Sequence, residues 1–363
     1  MASLKKRVRR AFKQGIQVAT IAALLPLKLL HIPGGFLPEK VRMILTHWTP
    51  AMMWVFVKSF GTRAYIDQPC TFPVPSSYKP KVDDIDPKYR FSEEEIRGFY
   101  ERGFIGPLTA VSEAEMREFS RQLDEELAHE SKAFGRKTVR DRHLDNPLVL
   151  DLFMKPSIVD RLAQLMGPDL MLWRSQVFNQ EPGAPPITWH QATTYMLEDY
   201  QRPILEPADI NQLFQLTTWI AVDEAVIENG CLQFLPGTQT KVRTLKLDAK
   251  DGFYAAKFEL DRPVMDDDIV SMELKPGQYV IFSERTIHGS PGNRSSRRRL
   301  GINFRTVLTS TKIYREQSEH YAAHLEETWK LDNWGVIQLR GVDRFGYNRV
   351  LKPPTREALV AAS

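Results

Sequence analysis

From Asp169 onward the chain breaks into short apolar or alternating runs separated by turn formers, and this texture restricts the fold more than any other feature. The runs at 170–173, 176–178, 214–222, 231–235, 279–282 and 300–307 have strand lengths and are rich in aromatic and β-branched residues. Many short strands of this kind indicate a β-sandwich or barrel. No internal repeat and no low-complexity tract interrupts them. The expected fold is mainly β with flanking helices, because a helical stretch precedes the strands.

That stretch is marked by its caps. Ser92 followed by Glu95 forms a capping box, and Ile96, Phe99 and Tyr100 then recur on one helical face. Ser112 with Glu115 opens a second helix to about His129, with Met116, Phe119 and Leu123 on its apolar side. Gly103-Phe104-Ile105-Gly106-Pro107-Leu108 reads as a short strand between the two. Asn146-Pro147 and Lys155-Pro156 open two more helices, the last ending near Met166-Gly167. Residues 68–90 are rich in Pro and turn formers and read as a linker. The organisation expected is a basic, apolar N-terminal extension (1–67), that linker, a main domain (91–310) and a peripheral C-terminal segment (311–363) with some helix.

Composition narrows the function classes. A hydrophobic content of 42% supports a sizeable core, and a net charge of +4 is too small for nucleic-acid binding to be expected. Two cysteines, Cys70 and Cys231, are too few for a disulfide framework or a cysteine zinc site, which fits a cytoplasmic chain. Lys5, Lys6, Arg7, Arg9, Arg10 and Lys13 crowd the start, ahead of an apolar stretch at 16–30 that Pro26 and Lys28 interrupt. It is short of the roughly 20 residues that span a bilayer. Two readings stay open: a basic amphipathic segment in peripheral contact with an anionic membrane or a partner, or helices packed with their charges in water.

The chemistry-bearing residues lie far apart in sequence. His190, in Thr188-Trp189-His190-Gln191-Ala192, follows a Gly/Pro-rich turn at 181–186, and His288 follows the buried run at 277–282. Strands can project both imidazoles into one cavity. Non-haem iron oxygenases hold Fe(II) on two His and one carboxylate, but two imidazoles alone do not specify a metal. In the run 299–305, Arg299, Gly301, Asn303 and Arg305 share one strand face and Leu300, Ile302 and Phe304 the other. A guanidinium there suits bidentate capture of a dicarboxylate. Arg297 and Arg298 are expected to be solvated surface charge.

Residues 91–307, about 60% of the chain, resemble the phytanoyl-CoA dioxygenase family of Fe(II)/2-oxoglutarate enzymes. The resemblance rests on Phe91-Ser92-Glu93-Glu94-Glu95-Ile96 with Gly103-Phe104, on Trp189-His190-Gln191, and on Trp219-Ile220-Ala221-Val222-Asp223. It rests also on Glu228-Asn229-Gly230-Cys231-Leu232, Pro236-Gly237-Thr238 and His288-Gly289-Ser290-Pro291 with Arg299. It implies a double-stranded β-helix (jelly-roll) core, Fe(II) on His190 and His288, 2-oxoglutarate on Arg299, and O2 as co-substrate. The family's carboxylate ligand stands two residues after the first His, where this chain has Ala192. The Fe(II)/2-oxoglutarate halogenases of this family carry Ala or Gly there, which implies a chloride in the vacated iron position. By the same resemblance Thr217 and Trp219 neighbour the chloride and 2-oxoglutarate, and Arg305 helps to order the halide.

Three functions remain open on this reading. One is a halogenase acting on an unactivated aliphatic carbon and releasing succinate and CO2. Another is a hydroxylase or related oxidase that recovers its third ligand elsewhere, with Glu198, Asp199 and Asp223 near in sequence. The third is a non-catalytic binding protein. The substrate expected is a small molecule or an acyl group tethered to a carrier protein. Residues 197–212 are a candidate lid or a surface loop.

Overall fold

The computed structural model describes residues 2–38, 41–42, 44–45, 48, 50–64, 72, 74–191, 204–241, 245–247, 258–260, 263–322 and 327–355. Two helices open the chain, α1 (Ala2–Leu29) and α2 (Pro50–Lys58). They pack on each other around Ile21, Leu24, Leu45, Trp48, Met52, Met53 and Phe56, a cluster separate from the main core. The face of α1 turned from this cluster carries Val8, Phe12 and Ile16, exposed by 61%, 71% and 52%. Among the described residues no helix is long and apolar enough to cross a membrane.

Helices α3 (Glu93–Arg102) and α4 (Glu113–Leu127) begin at the expected capping boxes. Ser92 Oγ accepts from the Glu95 amide at 3.2 Å while the Glu95 carboxylate accepts from the Ser92 amide at 2.8 Å. Ser112 and Glu115 repeat the exchange. Such a cap is worth about 1 kcal/mol. Helices α5 (Pro147–Phe153) and α6 (Pro156–Met166) start with Pro in the first turn, where its missing N–H costs nothing.

Ten strands build two facing sheets. They are β1 (Phe104–Thr109), β2 (Leu170–Gln180), β3 (Ile187–His190), β4 (Gln215–Ala221), β5 (Leu232–Phe234), β6 (Val270–Met272), β7 (Gln278–Ser283), β8 (His288–Ser290), β9 (Arg299–Leu308) and β10 (Ile337–Arg340). The larger sheet has the order β10-β2-β9-β4-β7-β1 and the smaller one β6-β5-β8-β3, with antiparallel pairing throughout. This is a jelly roll. Between the sheets, the Phe234 ring stacks on Phe104 at 4.6 Å and meets the edge of Phe282 at 5.1 Å.

The outer face of the larger sheet packs on the helices. Phe304 stacks on Phe153 of α5 at 4.4 Å, and Ile302, Ile220 and Ile281 join Leu162 and Leu165 of α6 in one core. The apolar half of the 299–305 alternation is thereby spent on packing, and its polar half faces inward.

Two expectations need correction. The C-terminal segment is not only peripheral: β10 pairs with β2 and closes an edge of the larger sheet, and Trp334, Val336, Ile337 and Leu339 are buried in the main core. No helix occurs there among the described residues. Arg298 is not simply solvated: its guanidinium pairs with both Asp124 oxygens at 2.9 and 3.0 Å and with Asp223 at 3.1 Å. Those bonds tie α4 to the entry of β9, whereas Arg297 is largely exposed beside Glu224, as expected.

Candidate active site

The two histidines are cross-strand partners. β8 pairs with β3 so that His288 lies opposite His190, and their ring centroids are 4.2 Å apart. Each ring is oriented from its own strand: Nδ1 of His190 lies 2.7 Å from the Thr188 carbonyl, and Nδ1 of His288 lies 2.8 Å from the Thr286 carbonyl. A carbonyl only accepts, so Nδ1 carries the hydrogen and Nε2 keeps its lone pair. Burial lowers the pKa of both rings, with Arg305 adding in the same direction for His190 and the His190 ring doing so for His288. Two neutral imidazoles with oriented, free Nε2 atoms fit a divalent metal.

Gln191 anchors the end of this motif. Its amide donates to the carbonyls of Lys241 at 2.9 Å and Arg285 at 2.6 Å, fixing the backbone immediately after His190. Among the described residues no group of three His, Cys, Asp or Glu could hold a metal. Ala192, Glu198 and Asp199 lie outside the described residues, as does Cys70. Asp223, weighed as a replacement ligand, instead accepts from Arg298 and from the Leu300 amide at 3.0 Å. Cys231 is buried and in no disulfide, and burial pushes its thiol up to about 12.

The histidines share a cavity of about 90 Å³ with Thr217, Trp219, Phe282, Ser290, Arg299, Asn303 and Arg305. The expected site residues other than Ala192 therefore come together. Thr217 and Trp219 reach it from β4, Arg299 and Arg305 from β9, and the imidazoles from the smaller sheet. Arg299 is 1% exposed, donates to Gln180 Oε1, and lies 5.4 Å over the Trp219 ring. Desolvation lowers its pKa to about 10, which leaves it cationic at neutral pH. Its Nε, the Thr217 hydroxyl and the Ser290 hydroxyl are buried without a hydrogen-bond partner. Orphaned donors around a cavity that no carboxylate lines among the described residues are suited to anionic oxygen or halide ligands.

Gln180 is a contributor that sequence reasoning missed. It is the register partner of Arg299, and its amide donates to the carbonyls of Pro185 and Pro291 at 3.3 and 3.1 Å. The guanidinium is thus held by a side chain that is itself held. Of the candidate lid, residues 204–212 are described and anchored: Leu205 and Glu206 pair with Ile313 and Lys312, and Ile204 and Leu205 are buried.

The profile of the phytanoyl-CoA dioxygenase (PhyH) family matches residues 99–301, more than half of the chain and the cavity wall apart from Asn303 and Arg305. The chain belongs to the phytanoyl-CoA dioxygenase family. A probable phytanoyl-CoA dioxygenase from Caenorhabditis elegans is 27% identical over 164 residues, 44% of this chain and 50% of that protein. A phytanoyl-CoA dioxygenase domain-containing protein 1 homolog from Caenorhabditis briggsae is 22% identical over 71% of this chain and 78% of its own length. The chain thus spans half the length of the former relative. Among solved structures, CytC3 with Fe(II) and alpha-ketoglutarate is 28% identical, with a TM-score of 0.58, covering 72% of this chain and 93% of that one.

Proposed function

We propose that this family member is a non-haem Fe(II)/2-oxoglutarate-dependent halogenase that chlorinates an unactivated aliphatic carbon of a small molecule. The observation that carries the reading is the make-up of the cavity wall. It holds two neutral imidazoles and two guanidiniums, and no carboxylate among the described residues.

In this reading His190 and His288 hold the metal through Nε2, and Arg299 pairs with a carboxylate of 2-oxoglutarate. Iron held there, with 2-oxoglutarate and O2, would supply the oxidising power for C–H activation, with succinate and CO2 as co-products. Ala192 has no carboxylate to offer two residues after His190, so one ligand position would be left to an exogenous anion such as chloride. The Thr217 hydroxyl, unpartnered and buried, is a donor available to that halide, with Arg305 lending positive charge beside it. Trp219 and Phe282 line the same wall and would keep bulk water from it, and chlorination over hydroxylation would depend on where that wall holds the substrate carbon. Similarity to CytC3 with Fe(II) and alpha-ketoglutarate supports this cofactor pair.

Anaerobic titration with Fe(II) and 2-oxoglutarate, followed by the visible charge-transfer band, tests the proposal. Chloride should tighten the binding and shift the band. Binding that ignores chloride would remove the halogenase, and the absence of iron binding would leave only a non-catalytic role.

We infer also that α1 makes peripheral contact with an anionic membrane. Val8, Phe12 and Ile16 form an exposed stripe at helical spacing, on a helix whose sequence is rich in Lys and Arg between residues 5 and 13. Full-length protein should sediment with phosphatidylserine-containing vesicles and not with neutral ones, and the F12S/I16S variant should stay in the supernatant. Equal sedimentation of that variant would exclude the stripe.

A further inference from the structure

The inner face of the larger sheet carries a second buried cationic group beyond the cavity. Arg174 on β2 is the register partner of Arg305, which in turn lies opposite Thr217 on β4 and so level with Phe282 on β7. Directly opposed residues project to the same side, so Arg174 extends the row that begins at the iron-binding face. Three inter-strand spacings, roughly 14 Å, separate it from Phe282. The Phe282 ring lies 4.8 Å from that of His288. Arg140 joins through a bridge to Gln176, whose partner Asn303 lines the cavity.

Tyr314 binds the two arginines together. Its hydroxyl accepts from Nη2 of Arg140 at 3.1 Å and from Nη2 of Arg174. Both guanidiniums lie near indoles, Arg140 at 4.7 Å from Trp329 and Arg174 at 4.5 Å from Trp173. Each arginine is only 6% exposed. Asp141 approaches Arg140 to 3.5 Å. Arg174 meets no carboxylate among the described residues, and its Nε has no hydrogen-bond partner. A buried guanidinium without a counter-charge is costly, and an apolar side chain of that volume would be more stable. Packing alone therefore does not account for it.

We propose that Arg174, with Arg140 and Tyr314, anchors an anionic oxygen group of the substrate, a carboxylate or a phosphate ester, with the rest of the substrate running along the Arg305–Thr217 row toward the histidines. The proposal rests on the cavity being the reaction site. This anchor is separate from the 2-oxoglutarate arginine. Arg299 pairs with Gln180, six residues from Arg174 along β2, and six strand residues span roughly 20 Å. Arg174 is not among the described residues that line the cavity with Arg299.

The test uses full-length, metal-free protein at fixed chloride and ionic strength, titrated with octanoate, octyl phosphate or neutral octanol, with tryptophan fluorescence and Tm as readouts. One of the two anions should bind and octanol should not, and the better anion identifies the group. Arg174→Gln should weaken that binding about ten- to a hundredfold, the loss expected of charge-assisted hydrogen bonds. Its Tm should hold or rise, because a buried charge with no carboxylate partner among the described residues has gone. Tyr314→Phe should weaken binding several-fold, and it answers the question alone if the arginine variant fails to fold. Arg299→Gln should lose 2-oxoglutarate but keep the alkyl anion. The anchor is wrong if wild type binds neither anion, if Arg174→Gln or Tyr314→Phe binds like wild type, or if Arg174→Gln lowers Tm while binding is unchanged. Any of these with intact Fe(II) and 2-oxoglutarate binding leaves the oxygenase reading standing.

Discussion

Gly301 lies beneath the indole of Trp219: a methyl built on its α-carbon would overlap the ring. The same indole lies 5.4 Å from the Arg299 guanidinium. The glycine is thus what lets the tryptophan lie flat against β9 and flank the arginine. Gly301→Ala needs no unusual backbone angle, so its effect is purely steric. Overpacking of this kind costs about 1–3 kcal/mol. The expected outcome is a lower Tm together with a KM for 2-oxoglutarate raised about tenfold, read from steady-state 2-oxoglutarate consumption. An unchanged KM would mean that the indole shifts without disturbing Arg299.

Ala192→Asp restores a carboxylate two residues after His190. Metal affinity should rise, chloride should cease to affect it, and chlorinated product should vanish from mass spectra of the reaction. Hydroxylated product can replace it if the carbon is held close enough. Persistent chlorination would place the halide elsewhere.

His143 gives a pH signature independent of the active site. It is fully buried against Ser175 Oγ at 2.8 Å, and desolvation lowers its pKa to about 4. Between about pH 4 and 6.5 the unfolded chain binds a proton at this ring that the folded chain does not. Stability contributed by His143 is therefore full above 6.5 and lost as pH falls, by up to about 3 kcal/mol. Wild type should lose Tm from pH 7 to 4.5 faster than His143→Gln does. Parallel curves for the two proteins would contradict the assignment.

The parts legible in sequence were those with local or periodic signals. Ser92-Glu95 and Ser112-Glu115 announced their helices because a capping box is complete within four residues. The alternation from Arg299 to Arg305 announced which face meets the cavity because a strand repeats every two residues. The turns flanking His190 and His288 marked each as a residue a strand could project, but it took the family resemblance to pair them. Gln180, Arg174 and Tyr314 were not, since their partners lie more than a hundred residues away. A weak sign existed: Arg174 directly follows Leu170-Met171-Leu172-Trp173, and a charge entering a buried strand needs a partner. Arg298 was misjudged because nothing local shows that Asp124 and Asp223 converge on it.

β10 carries a consequence for how this protein can be divided. The segment Ile337-Gln338-Leu339-Arg340 alternates like any strand and covers the edge of β2 at residues 170–172. A chain ended after residue 310 would uncover that edge and remove Trp334, Val336, Ile337 and Leu339 from the core, inviting edge-to-edge association. Such a truncation should elute as aggregate in size-exclusion chromatography, and a soluble, cooperatively melting product would refute this. The family-matching stretch, 99–301, is therefore not a portable module. A graft, a chimera or a natural gene fusion would have to carry the chain through residue 340 to inherit a foldable enzyme.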